Sequence, residues 1–187
     1  GETVFVGDGS YEYVLRHYRR GGLPGRLVRD SYLWTGLENT RAWREWRLTA
    51  ELYERGLPVP RPVAARVERN GLLYRADLIT LRIPQARSLA QGLAEMPLPE
   101  ERWQAIGACI CRFHDAGLDH ADLNAHNILL TADGVYLIDF DRGRLRSPGH
   151  WQHRNLARLL RSLRKLYNES LNIAFSDTDW QALLAGY

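Results

Sequence analysis

His120-Ala121-Asp122-Leu123-Asn124-Ala125-His126-Asn127, followed after Ile128-Leu129-Leu130 by Val135-Tyr136-Leu137-Ile138-Asp139-Phe140-Asp141, is the stretch on which the fold of this 187-residue chain turns. Its first eight residues are polar and show no sustained period, which predicts a loop over about 118–127. The two apolar runs flank Ala132-Asp133-Gly134 and predict two brief strands joined by a turn. Folding them back on each other returns Asp139 to the neighbourhood of Asn127. One carboxylate, Asp122, and two hard oxygen donors, Asn127 and Asp139, are thereby gathered. Any one of them alone is an ordinary turn former; at this spacing the three together predict a site.

Phosphoryl transfer needs such a set, because the protein has little covalent work to do. It orients an acceptor hydroxyl and neutralises phosphate charge. The order H-x-D-L-x-x-x-N, apolar triplet, hairpin, apolar strand, Asp-Phe matches the protein-kinase signatures at the base and metal positions. Asp122 stands where the base accepts the hydroxyl proton, and Asn127 and Asp139 offer oxygens suited to Mg²⁺. His120, His114 and His126 are expected to be structural, His120 through a backbone bond near the metal loop.

Upstream, Val4 to Val6 and Tyr11 to Tyr18 predict a β-hairpin around Gly7-Asp8-Gly9-Ser10, and Arg19 to Gly25 a loop. Helical spacing of Trp43, Trp46, Leu48, Leu52 and Tyr53 predicts a helix over about 40–55, with Thr40 as N-cap and Gly56 as C-cap. Residues 63–69 and 72–80 flank Asn70-Gly71, a two-residue hairpin signal. From Ser88 onward helices dominate, over about 88–93, 99–116, 150–167 and 177–184. The predicted class is α+β, a protein kinase-like two-lobed fold. A small antiparallel-sheet N-lobe with one helix spans 1–82, and a compact, mainly helical C-lobe spans 83–187.

Of 25 basic side chains only Lys165 is a lysine, and the net charge is +3. A lysine that holds phosphates in the first lobe is therefore excluded. Tyr13-Val14-Leu15-Arg16 stands where Val-Ala-Ile-Lys stands in protein kinases, so the cation that holds the α- and β-phosphates of ATP falls to Arg16, whose planar fork can contact two oxygens. Glu45 and Glu51 are its candidate partners. Glu45, one turn inside the helix between Trp43 and Trp46, is preferred. Gly1 is a candidate for the last residue of a phosphate-covering glycine loop, and a chain that begins with Gly leaves room for a preceding piece. Cys109 and Cys111 are placed too poorly to bridge each other, which points to a reducing, cytoplasmic compartment. No signal or membrane-spanning segment is visible.

After Asp139 too little chain remains for the activation segment and helices that hold a peptide, so a folded protein is not the expected acceptor. Between Arg142 and Lys165 there are eight basic residues and no acidic one. Arg142, Arg144 and Arg146 directly follow the metal-binding Asp139 and are expected to line the acceptor side. Arg154, Arg158, Arg161 and Lys165 follow the spacing of one helix face, opposite a leucine face. Such a helix suits an anionic partner, either membrane headgroups or a phosphorylated acceptor. Nucleic acid is not expected, because aromatic residues do not interleave with the basic ones.

The chain resembles the Kdo kinases of the lipopolysaccharide kinase family. The resemblance lies in Val14-Leu15-Arg16-His17-Tyr18-Arg19-Arg20-Gly21-Gly22, Tyr32-Leu33-Trp34-Thr35-Gly36, Gly56-Leu57-Pro58-Val59-Pro60, Tyr74-Arg75-Ala76-Asp77-Leu78, the loop through Leu130, and Ile138 to Arg144. Protein kinases would show Arg at 121 and Gly at 141, where this chain has Ala and Asp. The resemblance implies ATP and Mg²⁺ as cofactors and a Kdo (3-deoxy-D-manno-octulosonic acid) hydroxyl on a lipid A precursor as acceptor. It also implies a cytoplasmic enzyme, peripheral on the anionic inner membrane face, with Asp122 as base and Asn127 and Asp139 on metal. Competing readings are a heptose kinase, an aminoglycoside phosphotransferase, a small atypical protein kinase and a kinase-like scaffold without activity. The basic run argues against a polycationic aminoglycoside.

Overall fold

Asn70-Gly71 turns the chain between β4 (Pro62–Asn70) and β5 (Leu73–Leu81), which pair antiparallel with Asn70 opposite Leu73. Gly71 has φ +59°, a conformation that glycine takes without steric cost. These elements come from a computed structural model that describes residues 2–7, 9, 11–19, 30–169 and 173–187. Apart from Arg19, the loop expected over Arg19 to Gly25 lies outside the described residues, as does Gly1.

The other edge of β5 carries β2 (Glu12–His17) and, further along, β3 (Tyr32–Leu33), while β1 (Glu2–Gly7) pairs with β2; all contacts are antiparallel. Strand β3 was not expected, since two residues are too short to show a period. Helix α1 (Arg41–Glu54) packs on β4 and β5 through Ala42, Glu45, Thr49 and Leu52. Beneath it Tyr18, Ala42, Tyr74, Ala76 and Leu78 form the core. Thr40 occupies the N-cap position, but its hydroxyl donates to the Leu37 carbonyl (2.7 Å) and does not cap the helix.

The chain divides into two compact units, Gly1–Gly56 with Pro60–Ile83, and Leu57–Val59 with Pro84–Tyr187. In the second, Ser88 and Gln91 form a reciprocal capping box on α2 (Leu89–Glu95). Helix α3 (Glu100–Asp115) lies against α5 (Asp177–Gly186) so closely that a Cβ on Gly107 would come 2.0 Å from the Leu183 carbonyl oxygen. Strands β6 (Arg87–Ser88), β8 (Ile128–Leu130) and β9 (Val135–Leu137) make a small sheet. Helix α4 (Trp151–Glu169) buries Trp151, Asn155, Leu156, Leu159 and Leu163. Sheet and one helix first, helices after, is the α+β division expected from the sequence.

The stretch expected to be a loop from Leu118 begins instead with a strand, β7 (Leu118–Asp119), paired with β10 (Arg144–Leu145). Gly117 makes this possible. Its φ is +83°, and a Cβ there would sit 2.7 Å from the Arg146 carbonyl oxygen, whose own N–H donates to Gly117 (2.8 Å). Both cysteines are free.

Candidate active site

The loop alternates in burial from Leu123 to Asn127. Leu123 and Ala125 are fully buried and Asn127 nearly so, while Asp122 and Asn124 are half-buried and His126 is exposed. This period of two is present in the sequence and was not recognised there, because the inward residues are few and partly polar. Its backbone groups are fixed one by one, as buried peptide groups must be. Leu123 N–H donates to the His120 carbonyl (3.0 Å), and Asn127 N–H to that of Asn124 (3.0 Å). The Asp122 carbonyl accepts from the carboxamides of both Asn124 (2.9 Å) and Asn127 (3.0 Å). Ala125 donates to the Ser162 hydroxyl (3.2 Å) and accepts from Ala90 N–H (3.1 Å). The Asp122 carboxylate is left 43% exposed, with Arg158 Nη2 at 3.4 Å from its Oδ1.

Asn127 and Asp139 meet at the open end of the β8–β9 hairpin, where Ile138 N–H donates to the Asn127 carbonyl (3.0 Å). With Nδ2 bonded to Asp122, the Asn127 carboxamide turns Oδ1 the other way. Asp139 has φ +67°, a left-handed backbone that costs a non-glycine residue roughly 1–2 kcal/mol. Phe140, 2% exposed, holds this bend by packing on His120 and Phe113. His120 donates from Nε2 to the Ile138 carbonyl (3.0 Å), and burial lowers its pKa against the charges of Asp139 and Asp122, so the ring is a neutral brace. Among the described residues no group of three His, Cys, Asp or Glu could hold a metal ion. One carboxylate and one carboxamide are nevertheless hard oxygen donors, of the kind that would suit a Mg²⁺ held mainly by phosphate and water.

In the first unit the structure brings Arg16 and Glu45 together. Arg16 Nη1 lies 2.9 Å from Glu45 Oε1, and the carboxylate is 2% exposed. Glu51 instead pairs with Arg55 on the helix surface. Tyr18, which the sequence did not single out, donates its hydroxyl to Glu45 Oε2. The guanidinium groups of Arg16 and Arg41 each lie 5.1 Å from the Tyr18 ring centre. Tyr18 thus packs as a core aromatic and completes a charged cluster, a double role that apolar spacing does not reveal.

Arg142, Arg144 and Arg146 are exposed, in β10 and on either side of it. Arg146 is held by Asp119, Nη1 to Oδ2 at 3.0 Å. Asp119 also accepts from Asn155 Nδ2 (2.9 Å), and Asn155 Oδ1 accepts from His120 N–H (2.9 Å). This buried Asp119–Asn155 relay ties β10 and α4 to the start of the loop. Two residues 36 apart in the sequence carry it, and no local motif announces it.

The Asp-bearing loop, the hairpin end with two oxygen donors and the Arg–Glu pair stand in the sequence at the positions of the protein-kinase signatures. A sequence model of the Lipopolysaccharide kinase (Kdo/WaaP) family matches residues 1–187. The chain belongs to that family. It is 51% identical over 166 residues to a 3-deoxy-D-manno-octulosonic acid kinase of Vibrio parahaemolyticus, covering 88% of this chain and 70% of the relative. It is 57% identical over 168 residues to one of Xanthomonas campestris (89% and 67%), and 46% over 188 residues to one of Photobacterium profundum (100% and 79%). A solved structure described as WaaP in complex with acyl carrier protein superposes with a TM-score of 0.63 over 99% of this chain and 73% of that one. At 20% identity it shows the kinase-like fold alone. As a member of the Kdo/WaaP family the chain is a phosphotransferase of lipopolysaccharide biosynthesis, and kinases of this architecture use ATP with a divalent metal.

Proposed function

We propose that the protein transfers the γ-phosphate of ATP to a hydroxyl of Kdo on a lipid A precursor. The observation that carries this reading is the half-exposed Asp122 carboxylate on a loop whose every neighbour is pinned, together with the names of relatives 46–57% identical. Asp122 accepts the hydroxyl proton as the oxygen attacks phosphorus. Asn127 and Asp139 would hold Mg²⁺, which when bound neutralises charge on the phosphates. In the first unit Arg16, oriented by Glu45, grips the α- and β-phosphates. Arg142, Arg144 and Arg146 line the acceptor side, where the Kdo carboxylate and lipid A phosphates supply matching charge. No helix among the described residues is long and apolar enough to cross a membrane, and we place the enzyme at the cytoplasmic face as a peripheral protein drawn by its basic surface.

The test is incubation of the protein with γ-labelled ATP, Mg²⁺ and a Kdo-bearing lipid A precursor. Label enters the lipid and requires Mg²⁺. Label that stays in ATP, or enters only protein, overturns the proposal. Arg16→Ala should abolish nucleotide-induced thermal stabilisation while Arg16→Lys retains part of it; ATP binding indifferent to both changes removes Arg16 from the site.

A further inference from the structure

Helix α4 meets the catalytic loop along one stripe. Asn155 holds the His120 N–H and Asp119, Ser162 accepts from Ala125 N–H, and between them Arg158 donates from Nε to the Ala121 carbonyl (2.9 Å) while its Nη2 faces Asp122. Arg158 is therefore a cation built against the base by two contacts. Arg154 and Arg161 lie one turn to either side of it, at the i−4 and i+3 positions that share a helix face, with Cβ atoms about 5–6 Å apart. Both are exposed, and neither forms an ion pair within the described residues. The next cations along the helix differ. Lys165 has Glu169 at 3.7 Å and Arg164 has Asp177 at 3.4 Å.

Three guanidinium groups in a row, only the middle one near a carboxylate, repel one another and destabilise the helix slightly. An anion laid across them removes that repulsion, and the planar forks match carboxylate and phosphate oxygens two at a time. We propose that Arg154, Arg158 and Arg161 form an anion-binding strip that seats the acidic groups of the acceptor beside Asp122. Resting on the Kdo-lipid reading above, it adds a second acceptor-binding surface, on α4, to the one proposed at Arg142, Arg144 and Arg146. Arg158 sits nearest the reacting hydroxyl, and the two flanking arginines take carboxylate or phosphate groups further out on the same molecule.

The test compares the wild type with the double variant Arg154→Gln/Arg161→Gln, two exposed positions whose replacement does not lower the melting temperature. With detergent-dispersed Kdo-bearing lipid A precursor, the double variant raises acceptor KM by 10-fold or more, while KM for ATP moves less than twofold. Added salt raises acceptor KM in the wild type and has a smaller effect in the variant. A wild type that labels the lipid while the variant keeps its acceptor KM within twofold overturns this inference alone. Loss of sedimentation with phosphatidylglycerol vesicles at unchanged acceptor KM also overturns it, by assigning the strip to the lipid surface. A wild type that leaves the Kdo lipid unlabelled overturns the functional reading, and this inference falls with it.

Discussion

Two charged clusters in this molecule are held in opposite ways. Around Glu45 a carboxylate that is 2% exposed is surrounded by Arg16 and the Tyr18 hydroxyl, so charge itself is what packs the core. Around Asp122 the carboxylate is 43% exposed, and only the backbone on either side is fixed, through Asn124, Asn127, Arg158 and Ser162. On the proposed reading, function and stability share the same atoms in the first cluster. In the second they are separated, because a carboxylate that serves as base must be reachable while its loop stays still.

Asp122→Asn tests that separation most severely. It should lower kcat by roughly 10² to 10⁴ and move the melting temperature little, since the one contact of the side chain among the described residues is a half-exposed ion pair with Arg158 and the bonds that fix the loop are to its backbone. Turnover equal to wild type would remove Asp122 from the base role, and a large loss of stability would break the contrast. The converse holds at Glu45. Glu45→Ala leaves Arg16 and the Tyr18 hydroxyl without their carboxylate partner, and breaking such a buried pair costs about 3 kcal/mol of unfolding free energy. Urea denaturation should show it. A variant as stable as wild type would mean that the pair serves nucleotide binding only.

How much of this contrast the sequence discloses depends on distance along the chain. The Asn70-Gly71 hairpin, helix α1 and the β8–β9 hairpin are built by neighbours, and local spacing announces them. Arg16 and Glu45 were paired by analogy with kinase signatures and meet in the structure, yet Tyr18 was hidden as one more strand aromatic. Strands β7 and β10, two residues each, form only because Gly117 lets distant Arg146 approach. The contact of Arg158 with the loop is equally non-local. On a helix its charge looks like that of a solvated face, and only tertiary packing brings it to Asp122.

A smaller effect sharpens the difference between buried and exposed titratable groups. His114 is 2% exposed between Trp151 and Tyr187, and burial lowers its pKa to about 4. Its pKa in the folded state lies below the ordinary 6.5. Unfolding therefore takes up a proton between those values, and stability falls as pH drops through that window. Melting at pH 7 and pH 4.5 should show a loss in the wild type that is reduced in His114→Gln. Equal losses would mean that other groups govern the acid limb.

The central claim, that the phosphate lands on Kdo, is tested most directly by where the label sits in the product. Mild acid cleaves the ketosidic bond that joins Kdo to lipid A, so labelled lipid made with γ-labelled ATP can be split and its halves separated. The account predicts that label leaves with the released sugar as Kdo phosphate. Label retained on the lipid A half would contradict it.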